Sequence, residues 1–240
     1  MEVTTIIGID CSTDKKKLGL CRASINENRL IIEEVITGAR DPIDLMLKWI
    51  EGTNALLALD APLGWPIDLG QLLNSHSAGD PIAILGNQLF RRGTDRFIKR
   101  KLGKQSLDVG ADRIARTALW TVNFIAALGA QLADPIPLVW SRDFACKVGA
   151  IEVYPAATLV SRDLALAGYK RLENIAIREE ILTALTTEID IVCSRAEIVA
   201  TDDALDSVVC ALAGFDFVNG KCFDPEDLSL AKKEGWIWVA

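Results

Sequence analysis

Five carboxylates stand where ordinary packing has little use for them. Asp10 closes the apolar run Val3 to Ile9 and precedes Cys11-Ser12-Thr13, and Asp60 closes Leu56 to Leu59 and precedes a loop stiffened by Pro62, Gly64 and Pro66. An acid at a strand end reaches the sheet edge where ligands bind in α/β proteins, although an aspartate there equally serves a turn. Glu152 sits inside the short apolar stretch Ala150 to Pro155, where a charge is unwelcome unless it is paired or bound to a cation. Asp203 and Asp206 are three apart and share a helix face, which continues through Ser207, Cys210 and Gly214, small residues suited to close packing on a sheet. Complementing a helix dipole, worth about 0.3–1 kcal/mol per acid for Asp202 and Asp203, explains Asp202 well but Asp206 poorly, since it lies a turn further in.

If Asp10, Asp60, Glu152, Asp203 and Asp206 converge, charge becomes the governing problem. Two like charges about 4 Å apart repel by roughly 4 kcal/mol at an effective dielectric near 20, so a cluster needs cations or bound protons. Magnesium or manganese is the natural counter-charge for carboxylate oxygens.

A second candidate is the stretch Arg91 to Lys104, with seven basic residues and one acid, Asp95, in a chain of net charge −7. Arg92, Arg96 and Arg100 recur at helical spacing and, with Asp95, are the candidate substrate-binding residues, since arginine suits phosphate recognition. A solvated helix face that balances acids elsewhere is the competing reading. Lys15-Lys16-Lys17 reads as a hairpin tip. The negative net charge argues against a generic nucleic-acid coat protein, so nucleic acid is a partner only through the local segment 91–104. The six tryptophans are dispersed rather than interleaved with that segment, which does not indicate a base-stacking platform.

Positioning these residues falls to an alternation of strands and helices. Val3 to Asp10, Leu18 to Ile25 and Arg29 to Thr37 read as three sequential antiparallel strands, with Asn26-Glu27-Asn28 as the turn between the last two. Asp41-Pro42 opens an amphipathic helix through Ile43, Leu47 and Ile50, and Ala55 to Asp60 is a short continuous apolar strand. The helix can return the chain to lay this fourth strand parallel to the first, giving a mixed sheet with Asp10 and Asp60 at neighbouring carboxyl ends. Residues 64–110 are poorly patterned and read as an insertion of loops and short helices, a lid or an oligomer interface. Ala111 to Ala133 reads as a helix, Ala150 to Tyr154 as a strand and Ile175 to Leu185 as a helix. Thr201 or Asp202 caps a last long helix through Phe217, and residues 221–223 and 236–239 read as short strands or packed coil.

The chain has 240 residues, half of them hydrophobic, which suits one α/β domain over residues 1–240 with an insertion at 64–110. Its start lacks a basic region followed by an apolar stretch, and the longest apolar segment, Ala115 to Ala133, is interrupted by Arg116, Asn123 and Gln131. The expectation is a soluble, cytoplasmic protein with no membrane partner, and a homo-oligomer is open. The six cysteines form no C-x-x-C pair and read as reduced core thiols.

Taken in order, Gly8-Ile9-Asp10, Leu59-Asp60-Ala61-Pro62-Leu63-Gly64, Arg92 through Gly103 with Asp95, Glu152-Val153-Tyr154-Pro155 and Asp203-Ala204-Leu205-Asp206 resemble the predicted RNase H-like nucleases catalogued as domain of unknown function 429. The Asp-x-x-Asp of the last helix is similar to that of Holliday-junction resolvases. The resemblance implies an RNase H-like α/β fold: a mixed sheet of three antiparallel strands followed by parallel ones, flanked by helices. It further implies metal-dependent phosphodiester hydrolysis in which Asp10 bridges two Mg2+ or Mn2+ ions, Asp60 or Glu152 completes one coordination shell, and Asp203 or Asp206 completes the other. Two such ions, roughly 3.5–4 Å apart, activate a water and stabilise the departing oxygen without a histidine. The one histidine, His76, lies in a polar loop context. Two other readings stand beside this one. The first is an RNase H-like protein that binds nucleic acid or nucleotide without hydrolysis. The second is an actin-like or sugar-kinase-like ATPase, which would need a second, similar half that the chain lacks.

Overall fold

In the computed structural model, which describes residues 2–110 and 112–240, β1 (Thr5–Asp10), β2 (Gly19–Asn26) and β3 (Arg29–Thr37) form the antiparallel ladder expected of their β-branched runs. Asn26 pairs with Arg29, so Glu27 and Asn28 alone make the turn, with φ of 46° and 67°. Two successive positive φ angles match the right-handed twist of a tight hairpin. Asp41 starts α1 (Pro42–Ile50) by accepting a hydrogen bond from the Asp44 N–H at 3.2 Å, and the helix buries Met46, Trp49 and Ile50.

β4 (Ala55–Asp60) then pairs parallel with β1, and β5 (Val148–Glu152) pairs parallel with β4. The six-stranded mixed sheet runs β5-β4-β1-β2-β3-β6, with β6 (Ile189–Ile191) parallel to β3 at the far edge. β5 starts two residues before the expected Ala150 and ends at Glu152, because Pro155 opens α6 (Pro155–Val160). Between β4 and β5 the chain forms α2 (Ile67–Ser75), α3 (Gly86–Leu89), α4 (Gly93–Leu102) and α5 (Asp112–Leu132). The expected start of α5, Ala111, lies outside the described residues.

Strand alternation sorts the core into two layers. Ile7, Ile9, Leu57, Leu59 and Ala150 pack against α1 and α5. Ile6, Cys21, Ala58 and Ile151 face the other way, toward α9 (Asp202–Val218), which α6, α7 (Ile175–Leu185) and α8 (Arg195–Ala200) surround. The closeness of α9 to the sheet has a local cause. A Cβ on Gly8 would stand 2.0 Å from the Ser207 carbonyl oxygen, and one on Gly19 would stand 2.1 Å from that of Asp203. From the helix side, Gly214 faces Ile6 and Ala58, and the Cys210 thiol donates to the Ile9 carbonyl at 3.5 Å. The stripe Ser207, Cys210, Gly214 is thus the contact line itself.

α10 (Leu228–Glu234) packs on α4, and the segment after it is packed coil along β5, with the Trp238 N–H donating to the Glu152 carbonyl at 2.9 Å. All six cysteines are free thiols, with Cys21 and Cys210 buried. Among the described residues no helix is long and apolar enough to cross a membrane.

Candidate functional site

β1 and β4 pair in register from their first residues to their last, which sets Asp10 directly opposite Asp60. Alternation puts Asp10 on the same side as Ile6 and Gly8, and Asp60 on the same side as Leu56 and Ala58, the side that α9 covers. Thr201 caps α9 by accepting from the Ala204 N–H at 3.1 Å. Gly19 lets the first turn of that helix touch β2 at a place where a Cβ would lie 3.3 Å from the Asp10 Cβ. Asp203 and Asp206 therefore come down onto the strand ends that carry Asp10 and Asp60. Asp206 is fully buried, and the other three are half-buried.

Four carboxyls so placed cannot all ionise freely. Burial raises Asp10 well above the usual carboxylate range, and the Asp206 and Asp60 charges add to the rise. Burial pushes Asp60 up to about 7, with Lys170 opposing and Asp206 and Glu152 reinforcing. Asp203 rises to about 6 through burial, Asp202 and Asp206, against the pull of Lys17 and a hydrogen bond shared with Asp10. Lys17, on the exposed hairpin tip between β1 and β2, therefore contributes to the field of the site.

Two residues that the sequence did not single out complete the cluster. The Lys170 ammonium donates to Asp206 Oδ2 at 2.6 Å and the Tyr169 hydroxyl donates to Oδ1 at 3.0 Å. Burial works against the Lys170 charge, yet Asp206, Tyr169 and Asp60 hold it protonated. Behind them Arg178 of α7, completely buried, donates to the carbonyls of Val199, Tyr169, Arg171, Leu172 and Ala200. One guanidinium thus ties the loop that carries Tyr169 and Lys170 to the residues leading into α9. Tyr169-Lys170 follows Gly168 in a stretch without periodicity, so only this fold brings it to the carboxylates.

Glu152, expected as an alternative to Asp60 in completing a metal shell, is paired with a cation of the chain itself. The register sets it opposite Leu59, and it lines the same cleft as Asp60 and Lys170. Both its oxygens accept from Arg92, at 2.7 and 2.8 Å, and Oε2 also accepts from the Leu63 N–H at 3.0 Å. Burial raises its pKa while Arg92 lowers it.

Arg92, expected in a solvent-facing stripe, is 1% exposed and also bound to Asp95, which is 0% exposed. α4 begins at Gly93, so Arg92 is its extended N-cap and does not share the face of Arg96 and Arg100. Arg92 pairs with Asp95 and Glu152, which leaves Arg96 and Arg100 as the exposed arginines of the expected stripe. Arg91 pairs with Asp108 at 3.0 Å and Arg100 with Glu226 at 2.7 Å, while Arg96 is exposed. His76 ends α2, half-buried.

Residues 8–229 match the sequence family described as Protein of unknown function (DUF429). The chain belongs to this family. The DUF429 match takes in Asp10, Asp60, Glu152, Lys170, Asp203 and Asp206, together with the glycines that seat α9. No curated protein and no solved structure matches the chain.

As a possible metal centre, this DUF429 site offers a suitable donor set and an unfinished arrangement. Asp10, Asp60, Asp203 and Asp206 are hard oxygen donors of the kind that hold Mg2+ or Mn2+, and their upward shifts come first from burial, with neighbouring carboxylates adding to it. Among the described residues no group of three or more His, Cys, Asp or Glu side chains stands in metal-holding geometry. Two of the candidate carboxylates already have a cation of the chain as partner: Arg92 binds Glu152, and Lys170 binds Asp206.

Proposed function

We propose that the protein is an RNase H-like, divalent-metal-dependent hydrolase of phosphodiester bonds, with Asp10, Asp60, Asp203 and Asp206 as its catalytic and metal-holding carboxylates. The observation that carries this reading is the convergence of these four on one side of the sheet, Asp10 opposite Asp60 and both beneath the first turn of α9. The strand order supports it as well: three antiparallel strands extended by two parallel ones on the β1 edge, with acids ending the first and fourth strands.

When bound, Mg2+ or Mn2+ would supply Lewis-acid activation of water and neutralise charge on the departing oxygen. The chain's own residues do the rest. Asp10 and Asp60 present oxygens from fixed strand ends, Asp203 and Asp206 do so from a capped helix, and Tyr169 and Lys170 orient Asp206. Lys170 must yield Asp206 for that carboxylate to take a full share in holding a divalent ion, and its ammonium is then free for a substrate phosphate.

A test is Mn2+-dependent cleavage of single-stranded, duplex and cyclic phosphodiester substrates. Cleavage by the wild-type chain that Asp10→Asn abolishes, with the fold intact by circular dichroism, is the expected result. Cleavage that survives Asp10→Asn contradicts the assignment. The Lys170–Asp206 ion pair favours a second reading, a nucleotide- or nucleic-acid-binding protein without hydrolysis, because it already supplies one counter-charge. In that case Asp10→Asn leaves binding unchanged.

A further inference from the structure

Beside the carboxylates, Asp60 and Lys170 open into a cleft of about 380 Å3. Its walls differ in character. Lys104 and Lys170 line it on a side that also carries Asp60 and the mutually paired Arg92, Asp95 and Glu152, whereas Pro62, Leu107, Ile114 and Val153 give it apolar surface. Leu107 is 68% exposed, so the apolar wall has a free edge for a planar ring to cover. Sites for small organic ligands have this size and this mixture of apolar lining with a few polar groups.

We propose that this cleft binds one nucleotide unit bearing a terminal phosphate, either free or at the end of a strand, with the base on the apolar wall and the phosphate at Lys104 and Lys170. The inference rests on the phosphodiester reading above and narrows its substrate. Two further observations favour a single unit over a duplex lying across the surface. Three of the four arginines in the basic segment that a long backbone would follow are already paired with acids: Arg91 with Asp108, Arg92 with Asp95 and Glu152, and Arg100 with Glu226. The net charge of −7 repels an extended polyanion.

The wall is also organised in advance. The Ser106 hydroxyl donates to Asp95 at 2.9 Å and the Tyr154 hydroxyl donates to the Gln105 carbonyl at 3.5 Å, which fastens residues 105–107 to the buried Arg92 network. Pre-ordering of this kind lowers the entropy cost of binding a small ligand.

Calorimetric titration of the full chain with the four nucleoside 5′-monophosphates, their parent nucleosides, a 5′-phosphorylated single strand and a blunt DNA duplex tests this, with and without Mn2+. At least one monophosphate is expected to saturate with a Kd between about 1 μM and 1 mM, and its nucleoside to bind at least about tenfold more weakly, a difference of roughly 1.4 kcal/mol. Lys170→Met should bring the monophosphate down to the level of the nucleoside. Lys104→Met should act in the same direction while leaving Asp206 its partner, and Leu107→Glu should weaken both ligands. Comparable binding of monophosphate and single strand, in chains of the same base, identifies the terminal unit as what is read; tighter binding by the monophosphate alone identifies the free nucleotide. No saturation by any monophosphate at millimolar concentration, or tighter binding by the duplex, overturns the proposal. A Mn2+ titration without nucleotide separates the two claims. Metal binding without nucleotide binding removes this inference and leaves the metal site standing, and nucleotide binding without metal binding does the reverse.

Discussion

Asp60 shows at a single residue how the site stores tension. A carboxyl whose folded pKa lies above its unfolded value, near 3.9, stabilises the fold fully at pH values below the unfolded pKa. That contribution is lost as pH rises through the folded pKa, which for Asp60 is about 7. In the metal-free chain, Asp60→Asn should therefore raise the thermal midpoint at pH 8 and change it little at pH 4. Thermal unfolding in EDTA at the two pH values measures this, and a destabilisation that is larger at pH 8 would contradict the account. The positions of Asp10, Asp60, Asp203 and Asp206 were legible because each departs from a local pattern, a charge ending an apolar run or lying on a packing face. The partners of Asp206 were not legible. Lys170 is 36 residues away in an irregular segment, and nothing near it in sequence points to a carboxylate. The Arg92–Glu152 pair spans 60 residues, and the side to which Glu152 points depends on its register with β4, which no single strand encodes.

Among the elements, α9 decides whether the site exists, and Gly19 decides where α9 sits. A methyl at Gly19 would overlap the Asp203 carbonyl, so Gly19→Ala should push the first turn of α9 off β2. The expected cost is about 1–3 kcal/mol of stability, together with Mn2+ affinity lower by about tenfold, the scale on which supporting residues act at metal sites. Urea denaturation and calorimetry read the two effects. Unchanged metal affinity in a folded variant would mean that the seating of α9 does not position the carboxylates. The first four strands and α1 could be read from alternation, turn residues and Asp41-Pro42. β6, with three residues, and α6, α8 and α10, with six or seven each, are too short for periodicity to announce. They are held by tertiary contacts, such as the Ile189–Leu30 pairing that adds β6 to β3.

Across the whole molecule, buried charge fastens separate stretches of chain together. Arg92 joins the segment between β4 and α5 to Glu152 of β5 and to the Glu234 carbonyl at the end of α10, while the Glu234 side chain accepts from the N–H groups of Ile67 and Gly93. Removing the guanidinium strands two buried carboxylates, so Arg92→Met should cost about 3–5 kcal/mol in urea unfolding. Arg100→Ala, which breaks an exposed pair with Glu226, should change stability little. Equal effects would show that the Arg92 network is not what binds these parts.

Whether the four aspartates from β1, β4 and α9 form one cation site is tested most directly by a calorimetric titration of the purified protein with Mn2+, with Asp10→Asn and Asp206→Asn alongside. Saturable binding by the wild-type chain that is lost in both variants is the predicted result. No binding at millimolar Mn2+, or binding that either variant retains at full strength, would contradict it.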